Sequence, residues 1–403
     1  MFPPAFGPRM GYLCKYLKKA GWQPVVVTEY IKDDTFSFLA DENEVTYVNF
    51  YKATGKFTRY MEWLLVFLAD LLVNYKDRKM VKVASQLLKE GGYSGILCST
   101  YRTFPLPAAY TLAQRFGLPF IADTRDILEQ YASTEYIAHS FHTIPVIDKG
   151  IVWLFRKKLL RGRNKALCGA NYITTVSPWH TQIMSQYNSN VELIYNGFDP
   201  ELFYPKQVQT PQFRITYTGR LLSLATRNPQ LLFEAIALLS QKHLIQPQDF
   251  RVQWCMDRES RETIEQQANL YGVIDFMDFH DYVPAAKIPQ ILNESSILLQ
   301  LANLACGNGP KGIMTTKLFE SLAVEKPLLC VRSDESYLEE IIHQANAGLA
   351  ARDVNQVSDF LYKYYLEWKE KGYTTIQIKK DIVEQFSRRK QAEQYMNIFK
   401  KLI

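Results

Sequence analysis

The stretch GPKGIMTTKLFESLAVEKPLLCV, residues 309–331, reads as a glycine-containing loop, a short helix and a strand in succession. Leu318 and Leu322 stand one helical turn apart, giving residues 317–324 an apolar face. Lys317 and Glu320 fall together on the other face, three residues apart. The run 328–331 is short, apolar and preceded by Pro327, the pattern of a strand buried on both sides.

The same alternation extends both ways. Residues 24–28, 95–98, 120–122 and 172–176 read as buried strands, and 79–89 and 106–116 as helices between them. The rhythm restarts at 213–217, 250–254 and 296–301, with helices expected at 228–242 and 259–271. Strands alternating with helices predict parallel sheets covered on both faces. The best linker is 199–211, which carries Pro200, Pro205 and Pro211. The expected organisation is therefore two doubly wound α/β domains, 1–204 and 205–377, and a terminal helix over 378–403. Gly7-Pro8-Arg9 looks like the loop opening a helix after a first strand that the chain lacks. The expectation is that the natural product carries about ten further N-terminal residues.

Composition sets outer limits. The 403 residues are 47% hydrophobic and 22% charged, enough apolar surface for two cores. A net charge of +6 suits anionic small molecules or an anionic membrane surface and does not by itself point to nucleic acid. The six cysteines are scattered with no CxxC pair, which supports neither a zinc site nor a disulfide framework and favours a reducing cytoplasm. The opening Met1-Phe-Pro-Pro shows no apolar core of a signal peptide, and no 18-residue apolar stretch predicts a membrane span.

Four strand-to-helix junctions carry chemistry. At the first, Thr315 or Thr316 is placed to cap the helix, whose free N–H groups and positive dipole end favour a phosphate. Lys317 adds a full charge, and the Glu320 carboxylate is placed to accept both hydroxyls of a ribose. Spacing alone leaves an ordinary amphipathic helix with a solvated Lys–Glu pair as an equal reading. At the second, Thr218-Gly219-Arg220 follows a strand; Gly219 permits a tight turn and Arg220 suits bidentate binding of a diphosphate, with Arg227 as a second charge. The bland alternative is a surface turn with solvated arginines. At the third, Asp123, Arg125 and Asp126 cluster after a strand, where charges are costly unless they pair or act; a structural Asp–Arg pair competes there. His139 and His142 follow in a loop and read as bystanders. At the fourth, Asn196-Gly197 is a turn at the joint between the two domains.

Taken in order, these segments resemble the GT-B glycosyltransferases, specifically the large retaining group called glycosyltransferase family 4. The resemblance runs from Phe2-Pro3-Pro4 and Gly7-Pro8-Arg9 through Asp123-x-Arg125-Asp126, Asn196-Gly-Phe-Asp199, Thr218-Gly-Arg220 and Lys317-Leu-Phe-Glu320 to Phe386-Ser-Arg-Arg389. It implies two Rossmann-like domains facing a cleft, the N-terminal one binding the acceptor and the C-terminal one the nucleotide-sugar donor. The implied donor-binding residues are Gly7, Asn196, Arg220, Arg227, Thr315, Thr316, Lys317 and Glu320. Arg125 and Asp126 would be the catalytic candidates on the acceptor side. No metal and no cofactor are implied beyond the nucleotide sugar as substrate. Three positions depart from the family pattern: Gly312 stands where a Glu would contact the sugar, Glu325 where a Gly usually ends the helix, and Cys255-Met256 where a Gly is frequent.

The implied activity is transfer of a sugar, with retention, to a glycan or lipid-linked acceptor in cell-surface polysaccharide or glycolipid synthesis. A catalytically silent GT-B binding partner and a sugar-nucleotide epimerase remain open. The apolar, aromatic-flanked stretch 60–75 and the basic stretch 149–165, with seven Lys/Arg and no acid, add an expectation of peripheral contact with an anionic membrane at its cytoplasmic face. A core helix and a solvated basic face are the structural alternatives.

Overall fold

The computed structural model describes residues 7–30, 39, 43–100, 103–130, 145–304 and 312–403, with only the backbone at Gln130, Pro145, Asp148 and Phe155. Phe2, Pro3, Pro4, His139, His142, Cys306, Gly309, Pro310 and Lys311 lie outside the described residues. Among those described, the chain forms two compact units. The first runs to Tyr195 and takes in Gly312, Ile313 and Gln391–Ile403; the second comprises the residues from Asn196 onward and Met314–Lys390.

In the first unit, helix α1 (Pro8–Lys19) leads to strands β1 (Val25–Glu29) and β2 (Glu44–Val48). Helices α2 (Lys56–Val73) and α3 (Tyr75–Lys89) follow, then β3 (Ile96–Thr100), α4 (Leu106–Phe116), β4 (Phe120–Thr124), α5 (Pro145–Cys168), β5 (Tyr172–Thr175), α6 (Pro178–Met184) and β6 (Val191–Leu193). The strands form a parallel sheet of order β3-β4-β5-β6 and a separate parallel pair, β1-β2. Helix α4 has the expected bounds: proline in its first turn fits the free N–H positions, and Gly117, at φ 65°, closes it in the left-handed region.

Every residue of β4 is buried, including Asp123. A buried carboxylate demands partners, and they come from four segments. Arg9 of α1 grips it with two nitrogens at 3.1 and 3.2 Å, Ser99 Oγ donates at 2.7 Å, Thr174 Oγ1 at 2.9 Å and Tyr395 Oη at 2.7 Å. Burial alone would raise the Asp123 pKa; the charge and hydrogen bonds of Arg9, with those of Tyr395 and Ser99, outweigh it and hold the group below the ordinary carboxylate range. The remaining Arg9 donors go to the Ile194 and Tyr195 carbonyls. Around this network Leu13, Leu17, Ile121, Ile194, Ile398 and Phe399 form one apolar cluster.

The second unit carries β7 (Phe213–Thr218), α7 (Gln230–Gln241), β8 (Phe250–Cys255), α8 (Arg258–Leu270), β9 (Met277–His280), α9 (Ile288–Asn293), β10 (Ile297–Leu301), α10 (Thr316–Ala323), β11 (Leu328–Val331), α11 (Tyr337–Gln344), β12 (Gly348–Ala351) and α12 (Val354–Lys371). Its six strands are parallel in the order β12-β11-β10-β7-β8-β9, so the winding reverses between β10 and β7. That is a doubly wound Rossmann-like sheet, with its switch point beyond the carboxyl ends of those two strands. The expected terminal helix over 378–403 is two helices, α13 (Lys380–Glu384) and α14 (Arg388–Lys400). Between them Ser387 bridges Phe198, and the Arg388 N–H donates to the Phe198 carbonyl at 2.8 Å. The chain leaves the helical path there to make a strand-like contact.

Asp123→Ala is expected to destabilise the first unit by about 3–5 kcal/mol, because Arg9 is left buried and unpaired. Urea unfolding measures this. The stability contributed by Asp123 is full above the unfolded-chain value of about 4 and is lost as pH falls through its depressed folded value.

Candidate functional site

The second unit's switch point gathers most of the predicted donor residues. Strand β7 ends at Thr218 and the chain turns at Gly219, φ 101°. That φ favours glycine, and a Cβ there would also fall on Lys317 Nζ, with Lys317 Cε at 2.7 Å, so any side chain would displace the lysine. Lys317, in the first turn of α10, rests its ammonium 4.8 Å from the centroid of the buried Tyr217 ring. The Tyr217 hydroxyl donates to the Arg220 carbonyl at 2.8 Å, and Arg227 Nη1 donates to the same oxygen. Gly219, Arg220 and Arg227 thus form one loop packed against the start of α10.

The electrostatics of this loop are unbalanced. Arg220 pairs with Asp257 at 3.0 Å, and that carboxylate also caps α8 by accepting the Ser260 N–H at 2.9 Å. Lys317 has no hydrogen-bond or ion-pair partner among the described residues. Burial, and secondarily repulsion from Arg227, pushes its pKa down to about 7. Glu320 likewise has no hydrogen-bond or ion-pair partner among the described residues; burial pushes its carboxyl up to about 7, against the pull of Arg388 and then Lys317. Loss of a neighbour's charge makes each group harder to charge, so the two titrate as a coupled pair. An anion beside Lys317 and Arg227 relieves both the burial cost and the repulsion.

The helix start differs in one detail from the expectation. Thr315 occupies the cap position in extended conformation, but its side chain makes no capping bond, and Thr316 is the first helical residue. The Thr315 hydroxyl accepts from Gln300 Nε2 at 3.4 Å instead. Asn196 reaches the preceding segment, donating from Nδ2 to the Met314 carbonyl at 2.9 Å. Leu318 and Leu322 are buried as the spacing required.

The first unit holds the other candidates. Gly7 caps α1, and a Cβ on it would lie 3.3 Å from an Arg125 nitrogen. Arg125 is half-buried, its Nε without a partner, and its N–H donates to the Thr100 carbonyl at 3.3 Å. Asp126 follows it, half-buried. Asp123, the first charge of that cluster, is the structural ion pair already described. Gly312 has a physical reason to be glycine: φ is 65°, and a Cβ would lie 2.6 Å from Ser177 Oγ and 3.1 Å from Trp179 Cβ. Glu325 takes φ 53° without being glycine, and pairs with Lys380 at 3.2 Å.

Three residues had been given no role from the sequence. Asp257 caps a helix and holds Arg220, and the Asp-before-helix signal was available. Arg388, only 2% exposed, acts electrostatically on Glu320 from 68 residues away in the chain, a separation no spacing rule reaches. His180 is 1% exposed with both ring nitrogens unpartnered, and burial drives its pKa down to about 4.

No family model matches the chain, and no curated protein matches it by sequence. Solved structures do match. A sucrose-phosphate synthase from Thermosynechococcus elongatus superposes with a TM-score of 0.59 over 97% of this chain and 91% of that one, at 14% identity. Anabaena Alr3699/HepE, solved in complex with UDP-glucose, gives 0.58 over 99% and 97% at 13% identity. The lipopolysaccharide outer core galactosyltransferase WaaB, in its apo form, gives 0.54 over 99% and 97% at 13% identity. The chain has the GT-B glycosyltransferase fold. In GT-B terms, both Rossmann-like domains are present, and the switch point described above belongs to the C-terminal one.

Gly219→Ala is expected to cost about 1–2 kcal/mol through backbone strain alone, and to dislodge Lys317 as well. Glu325→Gly should recover about 1–2 kcal/mol, less the small worth of an exposed ion pair. Chemical denaturation of the two variants, expected to move in opposite directions, checks both.

Proposed function

We propose that the protein is a glycosyltransferase that takes its sugar from a nucleotide-sugar donor and passes it, with retention, to a glycan or lipid-linked acceptor in cell-surface polysaccharide or glycolipid synthesis. The observation that carries this reading is Lys317: a half-buried cation with no anionic bond, set over Tyr217 at the switch point of a parallel sheet. The likeness in fold to HepE, whose structures were solved with UDP and UDP-glucose, supports a sugar nucleotide as the ligand.

In this reading Lys317, Arg227 and the first N–H groups of α10 receive the diphosphate, and Arg220 joins them by sharing or leaving Asp257. Glu320 accepts the ribose hydroxyls. As the glycosidic bond breaks, negative charge grows on the departing diphosphate, and these fixed positive groups stabilise it more than they stabilise the intact donor. Arg125 and Asp126 are the candidates for the acceptor side, with Gly7 beside Arg125 leaving the guanidinium room. The reaction belongs to the cytoplasmic side of a membrane carrying the acceptor, with the protein in peripheral contact with its anionic lipid.

One observation favours a second reading, a catalytically silent GT-B protein. The tight setting of Gly312 excludes the sugar-contacting Glu of the resembling family. Release of nucleoside diphosphate in the presence of acceptor separates the two.

Among UDP, GDP, ADP and CMP, one nucleotide should raise the melting temperature, by about 2.7 kcal/mol of stabilisation at a hundred times its dissociation constant. Lys317→Ala should abolish the shift. Lys317→Ala and Arg220→Ala are each expected to lower turnover by about 10²–10³, and near-native transfer by both would overturn the site. Lys317 must be protonated to hold a diphosphate, yet is half neutral near pH 7 in the free protein. In Glu320→Gln, which removes the coupled carboxyl, binding should therefore take up a proton and affinity should fall as pH rises from 6 to 8.5; calorimetry in two buffers of different ionisation enthalpy reads that proton directly.

A further inference from the structure

Helix α2 is unusual for a helix of a folded domain. It spans 18 residues rich in Leu, Phe, Val and Trp, yet buries only Val66. Phe57, Met61, Leu65, Leu68 and Leu72 succeed one another at helical spacing and form a single exposed stripe. Phe57 is 76% exposed, Leu65 62% and Leu72 78%. Beside the stripe, Tyr60, Trp63 and Phe67 stack in series, with centroids 6.2 and 5.7 Å apart. A contiguous apolar strip of this kind is rarely left to water.

The fully exposed charges along 52–78 are all basic. Lys56 and Arg59 are exposed at the start of α2. Both acids of the helix are turned onto backbone amides. Glu62 accepts the Lys52 and Ala53 N–H groups at 2.9 and 2.8 Å, and Asp70 accepts that of Lys76 at 2.8 Å.

Helix α5 is fastened to the end of α2. Lys158 Nζ donates to the Asp70 and Leu71 carbonyls. Leu154 and Arg161 lie one turn to either side of Lys158, so that face of α5 continues from the fastening point. Trp153 and Leu154 are exposed, and Lys157 sits 4.9 Å from the Trp153 ring centroid. The basic stretch 149–165 is thus divided in its work. Arg163 is buried in a bidentate pair with Glu129, at 2.7 and 2.9 Å, and Lys158 holds α2. Lys149, Lys157, Arg161 and Lys165 remain exposed.

We propose that α2 and α5 together form the face by which this protein docks on an anionic lipid bilayer. The α2 stripe lies among the acyl chains just below the headgroups, and Trp153 with the basic side chains lies at headgroup level. The chemistry selects lipid over a protein partner. An aliphatic stripe bordered by aromatic rings and cations, with its acids sequestered, is the pattern of an interfacial helix. The exposed lysines and arginines gain from the negative surface potential of anionic lipid. No described helix is long and apolar enough to cross a membrane, so the contact is peripheral. This rests on the membrane-borne acceptor proposed above for its purpose, but it requires binding alone and no turnover.

Flotation tests it, using vesicles of pure phosphatidylcholine and of phosphatidylcholine with 30% phosphatidylglycerol as the two arms. The intact protein should float with the anionic vesicles at 50 mM salt, at least tenfold more than with neutral ones, and less at 500 mM. The double variant L65E/L72E, altered only at exposed positions, should lose at least tenfold in flotation with its melting temperature and nucleotide-induced shift unchanged. K157E/R161E should weaken flotation and flatten its salt dependence. The proposal is overturned if the intact protein fails to float at 50 mM salt, or if L65E/L72E floats as well as the parent. It is equally overturned if sedimentation shows a dimer that L65E/L72E dissolves while neither protein floats, since the face then serves a second copy of the chain. Loss of the nucleotide shift in the intact protein would instead remove the donor site and leave this result standing.

Discussion

An all-parallel sheet has no face to spare for water, and in the second unit that constraint arranges everything else. Phe213, Ile215, Tyr217, Phe250, Val252 and Trp254 are all at or near zero exposure, and helices cover both sides. Crossovers that bury both faces force the winding to reverse somewhere. Here it reverses between β7 and β10, where two neighbouring strands send their following loops apart. The polar residues of the candidate site stand on those two exits, Gly219 to Arg227 after β7 and Lys317 to Glu320 on α10 after β10.

The switch point also explains why Lys317 carries a perturbed charge. It is crowded from below by the Tyr217 ring and from the side by the Gly219 backbone, with Arg227 nearby. A lysine in that setting is poorly solvated and poorly paired, which is unfavourable for the free protein. A cation already held out of water and lacking a counter-charge is, for the same reason, suited to a developing diphosphate charge. Arg220 contrasts with it: more exposed, and already matched by Asp257. The two cations therefore differ in what they give up when an anion arrives.

The first unit solves a different problem. Its central strand ends in a buried carboxylate, and the Arg9, Tyr395, Ser99 and Thr174 bonds draw α1, α14, β3 and β5 onto one point. The next residues, Arg125 and Asp126, are only half-buried, so the chain passes from a structural charge to accessible ones within three positions. At its surface, α2 reverses the usual economy of an amphipathic helix by presenting its apolar side outward.

Much of this was legible in the chain. Buried strands such as 120–122 and 328–331, helix 106–116 and the placement of Lys317 against Glu320 follow from period, capping and composition, which act over a few residues. Strands β2, β9 and β12 were not foreseen: β12, Gly348-Leu-Ala-Ala351, carries no β-branched side chain, so it is a strand only because a neighbour pairs with it. The Thr315 hydroxyl, read as a cap, is engaged by Gln300 instead. Whether a charge is structural or available was likewise decided by tertiary contacts. Asp123 was claimed by Arg9, 114 residues earlier, Arg163 and Lys158 were withdrawn from a basic run, and Glu320 came under the field of Arg388. Sequence by itself determined the α/β alternation and the residue types at each junction, because those are local properties of the chain. Only the folded structure decided which cation lacks an anion, because pairing depends on which distant segments share a buried place.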